Sequence, residues 1–180
     1  MALATTTDVA KALGRSLTTA DTDRATMLLE TASSEAVRVA GGYAFAPGSY
    51  TRTLLVRGCK SVIRAKVATI AAVRTVDPTT GAETTLTGWT SRGSRLYQLG
   101  CDGEVEVDFT VTDAIPAEIV AAVAGIVAAT LGAPPVGAQS ESTGPFSVSY
   151  VDSSGRVWLS ASDRSLFAKY RRAPRAIRLV

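Results

Sequence analysis

Glu104-Val105-Glu106-Val107-Asp108-Phe109-Thr110-Val111-Thr112 alternates without a break: Val105, Val107, Phe109 and Val111 fall on one side, Glu104, Glu106, Asp108 and Thr110 on the other. Two is the side-chain period of an extended chain, so this stretch predicts a strand with one face in a core and one face wet or interfacial. Just beyond it the period changes. Pro116 opens a helix, where its missing N–H costs nothing, and Glu118 suits the positive helix start. Ile119 to Leu131 then run thirteen residues without a charge. A half-buried strand handing over to an apolar helix predicts an α+β protein.

Upstream, from Tyr50, the same period of two recurs with Val, Leu and Ile as the apolar residues. Thr51–Val56, Ser61–Arg64, Ile70–Val76, Thr84–Trp89 and Arg95–Leu99 are the further strand candidates. Asp77-Pro78-Thr79-Thr80-Gly81 reads as a turn, because Pro presets one backbone angle and Gly accepts a positive one, and Gly100 to Gly103 reads as a second. Before the strands come two helices. Thr7, Asp8, Val9, Ala12 and Leu13 form a short capped one ended by Gly14. Thr18 or Thr19 caps a longer one, in which Ala25, Leu28, Leu29, Ala32, Ala36 and Val39 recur at helical spacing until Gly41-Gly42.

Downstream, the Pro-started helix is small on nearly every side: Ala121, Ala122, Ala124, Gly125, Ala128 and Ala129. Glycine in a helix interior costs about 1 kcal/mol relative to alanine, so another backbone is expected to approach Gly125. A helix apolar all round wants neighbours on several faces, which a subunit interface would supply. Gly132 and Pro134-Pro135 end it, and Val136–Thr143 reads as a polar loop. Phe146, Val148 and Tyr150 share one face of a strand, Asp152–Gly155 turns, and Arg156–Leu159 completes a hairpin. Ser162 or Asp163 caps a last helix to about Tyr170, and Pro174 breaks it, leaving Arg175–Val180 extended. No internal repeat is found.

The chain has 180 residues, 46% hydrophobic but only 6% aromatic, so small and β-branched residues do most of the filling. That length suits one domain, expected over residues 1–163, with 164–180 as a basic docking segment. No stretch has the make-up of a secretory signal, and the apolar run at 119–131 is too short to cross a bilayer, so no membrane partner is expected. Cys59 and Cys101 are too few for a disulfide scaffold and have no histidine to build a zinc site; free thiols are the default reading, a disulfide the alternative.

The complete lack of histidine removes the usual general base, proton shuttle and metal ligand. Neither a phosphate-cradling glycine motif nor a nucleophile with a base at suitable spacing is visible, so no enzyme activity, metal or cofactor is expected. Glu104, Glu106 and Asp108 share a strand face: a solvated surface, a cation site, or a patch for the basic segment of a neighbouring copy. Phe146, Tyr150, Trp158, Phe167 and Tyr170 cluster beside arginines, as stacking platforms for nucleic acid do, though core packing explains them more cheaply.

Arg164, Lys169, Arg171, Arg172, Arg175 and Arg178 lie in the last seventeen residues, with no acid among them. The whole chain carries +3, so residues 1–163 net to −3. Such a segment reads as a solvated helix face, a sequence-independent phosphate contact, or a docking strand with Ile177 and Leu179 on one side and Arg178 on the other. Docking to protein is the preferred reading, and nucleic-acid binding the runner-up.

The order of helix, long helix, strand block, Pro-started Ala-rich helix, loop, hairpin, short helix and basic end resembles the head-to-tail connector (adaptor) proteins of long-tailed bacteriophages and prophages. Its sharpest pieces are Ile115-Pro116-Ala117-Glu118-Ile119, Ser142-Thr143-Gly144-Pro145-Phe146-Ser147-Val148-Ser149-Tyr150, and Ser165-Leu166 to Tyr170-Arg171-Arg172. The resemblance implies a virion protein of the neck, assembled in the host cytoplasm as a ring of typically about twelve copies beneath the portal. Such a ring carries a head-completion (stopper) or tail protein and keeps the DNA channel continuous, with passing DNA a secondary contact. It also implies that the C-terminal segment docks on the portal protein, through Arg171, Arg172, Arg175, Ile177, Arg178 and Leu179. Glu104, Glu106, Asp108, Gly125, Gly144, Pro145, Phe146 and Tyr150 are the candidates for contacts between copies. The expected fold is a helical layer, of the long N-terminal helix and the Ala-rich helix, beside an antiparallel strand block.

Overall fold

A computed structural model of the chain describes residues 1–77, 79–100, 103–132, 140–143, 146–149 and 157–171. The protein is α+β, with four helices and antiparallel sheets of four, three and two strands among the described residues. It divides into two compact units. One comprises Met1–Val39 and Pro116–Phe167; the other comprises Ala40–Ile115 and the residues from Ala168 onward.

The first unit is helical. Helix α1 (Thr6–Leu13) starts at a capping box: the Thr5 hydroxyl accepts from Asp8 N–H at 3.2 Å, and the Asp8 carboxylate accepts from Thr5 N–H at 2.9 Å. The cap is Thr5 rather than Thr7, because this reciprocal pair needs its acid three residues on. Gly14, at φ 69°, ends the helix as expected. Helix α2 (Thr19–Val39) has the same device, with the Thr18 hydroxyl accepting from Asp21 N–H at 3.2 Å. Ala25, Leu28, Leu29, Ala32, Ser33 and Ala36 form its buried stripe. Helix α3 (Ala117–Gly132) begins where the Pro116 carbonyl accepts from Ile119 and Val120 N–H. It packs against both α1 and α2, burying Ile119, Val123, Ala124, Ile126, Val127, Ala128 and Leu131.

Strands β1 (Gly48–Val56), β7 (Gly103–Val111), β3 (Thr69–Val76) and β4 (Glu83–Thr85) make the four-stranded sheet of the second unit, in that order. Strand β7 is central. Tyr50 pairs with Phe109 across β1, and Ile70 pairs with Phe109 across β3, with a register shift between Ile70 and Ala72. Strands β2 (Lys60–Val62), β6 (Arg95–Tyr97) and β5 (Thr90–Arg92) form the three-stranded sheet. One core joins the two sheets: Val56, Val73, Val105, Val107, Phe109 and Val111 meet Ile63, Leu96 and Leu99. The alternation along β7 is thus resolved as expected, with its Val and Phe side inside.

Three expectations change. Thr84–Trp89 shortens to β4, and Leu86 and Trp89 turn instead toward the core, while Thr90–Arg92 forms the unforeseen exposed strand β5. Ser140–Thr143, expected as loop, is strand β8, paired antiparallel with β9 (Phe146–Ser149). A run of Ser, Glu, Ser and Thr has no apolar period to announce it; only its partner makes it a strand. The hairpin therefore falls one element earlier than expected, and residues 157–160 have no regular structure. The anticipated turn at 152–155 lies outside the described residues.

Candidate interaction surface

Helix α4 (Ala161–Arg171) carries the start of the basic segment. Its cap is Ser160, two or three residues before the expected position. The Ser160 hydroxyl accepts from Asp163 N–H at 3.1 Å, and Asp163 returns the bond to Ser160 N–H at 3.0 Å. Leu159 and Phe167 are buried, which anchors the segment's first half within the fold. Tyr170 stands edge-on to Tyr43 and Phe45, with ring centroids 5.1 and 5.0 Å away. Burial pushes the Tyr43 phenol above its usual pKa. Arg171 is exposed, its stem lying against Gly41: a Cβ on Gly41 would stand 3.1 Å from Arg171 Cγ and collide with Arg64 Nη1. At φ 68° that position also suits glycine's conformation.

Trp158 is 77% exposed and Arg164 lies over its ring, 5.9 Å from the centroid. Sequence reasoning assigned Trp158 to core packing, and that is corrected here: the buried neighbour is Leu159, and alternation throws the indole outward. The Arg38 guanidinium bonds to the Glu35 carboxylate and holds it below the usual carboxylate range, with the charge of Arg164 adding to the effect. Cations and an open aromatic thus share one surface beside the start of α4.

The acidic face of β7 is organised around Arg74, a residue that sequence reasoning did not single out. Arg74 Nη2 lies 2.8 Å from both Glu106 Oε1 and Asp108 Oδ2. Its Nε stands 3.4 Å from Glu83 Oε2, within ion-pair range but without hydrogen-bond geometry. Thr51 donates to Asp108 at 2.7 Å. Two of the three carboxylates offered to a neighbour's basic segment are therefore already paired within the chain, and Glu104 remains exposed. The signal was present: Arg74 sits in β3 on the register opposite Glu106. A shallow depression of about 280 Å³ lies here, between Ser49, Thr51, Ala71, Arg74 and Asp108.

Gly125 differs from expectation. It is exposed, and among the described residues a Cβ added there would meet nothing within 4 Å beyond its own helix, so none of their backbone approaches it. Ala121, Gly125 and Ala129 form an exposed small-residue row on α3, opposite the side packed on α1 and α2. Phe146 lies in β9. Gly144, Pro145, Tyr150, Arg172, Arg175, Ile177, Arg178 and Leu179 lie outside the described residues.

Cys59 is a free, exposed thiol. Among the described residues no group of three or more acids or cysteines could hold a metal ion, and no helix is long and apolar enough to cross a membrane. No family model matches the chain, and no curated protein matches it.

Proposed function

We propose that the chain is a head-to-tail adaptor of a long-tailed bacteriophage or prophage, a structural protein that joins the portal to the neck or tail and lines a continuous DNA path. The observation that carries this reading is the basic segment from Arg164 to Val180, six cations and no acid. It starts on a capped helix held by buried Phe167 and by the Tyr170 contacts. A charge-rich end on a firm base is suited to docking, because an anchor that is already ordered loses no freedom on binding. In a ring, many such ends engage at once, so weak single contacts add to a strong attachment. The exposed Ala121–Gly125–Ala129 row of α3 offers neighbouring copies a face that side chains do not hold apart.

Deleting Pro174–Val180 tests it. Portal-bearing heads should fail to join tails while the purified subunit keeps its helical and strand signals; normal joining would overturn the docking role.

Nucleic-acid binding is the second reading, favoured by Trp158 with Arg164 over its ring. It requires the purified chain to bind DNA with an affinity that falls steeply with salt, and to lose that binding in Trp158→Ala.

A further inference from the structure

Gly41 and Gly42, between α2 and β1, are met by three arginines from three parts of the second unit. Arg64 Nη1 donates to the Gly41 carbonyl at 2.8 Å, and the Arg52 guanidinium of β1 donates to the Gly42 carbonyl. Arg171, the last residue of α4, lays its stem on the same spot: the point where a Gly41 Cβ would stand is 3.1 Å from Arg171 Cγ and 3.3 Å from Arg64 Cζ. A Cβ on Gly42 would stand 3.0 Å from Arg52 Nη1. Space that two side chains would fill is thus given to arginines. Their bases are fixed. Ala44 N–H donates to the Arg64 carbonyl at 2.9 Å, and Tyr170, next to Arg171, stands 5.1 Å from the ring of Tyr43, next to Gly42.

These cations differ from others of the same unit in what they are paired with. Arg74 meets three carboxylates, and Lys66 is paired with Asp113. Among the described residues no carboxylate lies within ion-pair range of Arg52, Arg64 or Arg171. A backbone carbonyl orients a guanidinium without neutralising it, and each bond here takes one nitrogen, leaving the rest of the fork for another acceptor. Holding a turn needs only a neutral donor, and a helix C-terminus suits one cation, here Arg171. Neither calls for three positive charges together. Arg64 and Arg171 are exposed and Arg52 is half-buried, so an ion in solution can reach the cluster.

We propose that Arg52, Arg64 and Arg171 form a binding site for a phosphate group at the Gly41–Gly42 turn. A carboxylate has two oxygens on one edge and is satisfied by a single fork, whereas a phosphate offers oxygens in several directions and takes donors from several arginines at once. With the three side chains held at their bases, little freedom is lost on binding. Free phosphate and the phosphates of a nucleic-acid backbone present the same group. The site uses neither Trp158 nor Arg164, and it holds whether or not the chain is an adaptor.

Titration of the full chain with inorganic phosphate, followed by amide NMR at constant ionic strength, tests this. The Gly41 and Gly42 amides should shift and saturate, and chloride at equal ionic strength should leave them in place. Arg64→Gln and Arg171→Gln should each weaken binding at least about tenfold. Lys60→Gln, which removes the same charge from the start of β2, should leave it within about twofold. The amides of Val107 and Phe109, in the strand core, report that each variant is folded. A short DNA duplex that displaces phosphate from the turn makes a nucleic-acid backbone the source of the group; one that leaves it in place makes free phosphate the source. Shifts that do not saturate, that chloride reproduces, or that survive either arginine substitution overturn the proposal. So does an equal loss in Lys60→Gln, which would mean diffuse charge alone. An acidic peptide that binds where phosphate does not would also overturn it, giving the turn to protein carboxylates.

Discussion

The backbone N–H of Leu3 donates to the hydroxyl of Ser33 at 2.9 Å, a bond between two buried residues thirty positions apart. It ties the segment before α1 to the middle of α2. Ser33→Ala leaves that N–H without a partner and out of reach of water, at a cost of about 1–3 kcal/mol. Urea unfolding should show the loss as a lower midpoint with an unchanged slope; an unchanged midpoint would mean that the leader finds another acceptor.

Arg74 separates two carboxylates that would otherwise face each other. The three side chains are 25–27% exposed, so the site lies between a surface ion pair and a buried one. Arg74→Met should destabilise by about 1–3 kcal/mol. Adding Asp108→Asn removes the repulsion between the two carboxylates and should restore part of the loss, and salt should relieve the single variant more than the double. A double variant no more stable than the single one would show that packing, not charge, sets the cost.

The Thr5 hydroxyl and backbone N–H both bind the Asp8 carboxylate and hold its pKa below the ordinary 3.8. A group whose folded pKa is depressed adds stability that is complete above the unfolded value and is lost as pH falls through the folded one. The start of α1 is therefore expected to loosen only in acid, below pH 3.8. In Thr5→Val the Asp8 midpoint, followed by carboxyl NMR, should move upward; a midpoint that stays put would remove the hydroxyl as the cause.

Gly125→Ala separates subunit stability from assembly. Among the described residues nothing outside the helix stands within 4 Å of the added methyl, so the isolated subunit should gain up to about 1 kcal/mol in helix stability. On the adaptor reading, with α3 facing a neighbouring copy, the same methyl should weaken the ring. Thermal melting and the mass of the portal-bound assembly read the two effects. A variant that is stabilised and still assembles normally would take this face out of the interface.

Much of the fold was legible because local patterns and tertiary needs coincide. Val105 to Val111 alternate and are buried in alternation; Leu28, Leu29 and Ala32 recur at helical spacing and are buried together. Legibility failed where structure depends on a partner. Strand β8 exists only through β9, and β5, exposed along its whole length, only through β6. The caps shifted by two or three residues for a shared reason: Thr5 and Ser160 are fixed by the acids at Asp8 and Asp163, three positions on. At the candidate surface, the charge of the final segment could be read directly. The role of Arg74, the outward turn of Trp158 and the empty space around Gly125 could not, because each depends on which neighbours the fold brings near.

The helical unit is interrupted between α2 and α3 by residues 40–115, which hold every member of the strand core. A growing chain therefore emerges from the ribosome in an awkward order. Helices α1 and α2 appear first, with Val9, Leu28 and Leu29 uncovered. The strand core is then complete in sequence, and only afterwards does α3 arrive to cover the waiting helices. Synthesis thus begins with helices whose cover is made only after the whole strand core. That interval of bare apolar helix, rather than any weakness of the finished fold, is where nascent copies are most prone to associate wrongly.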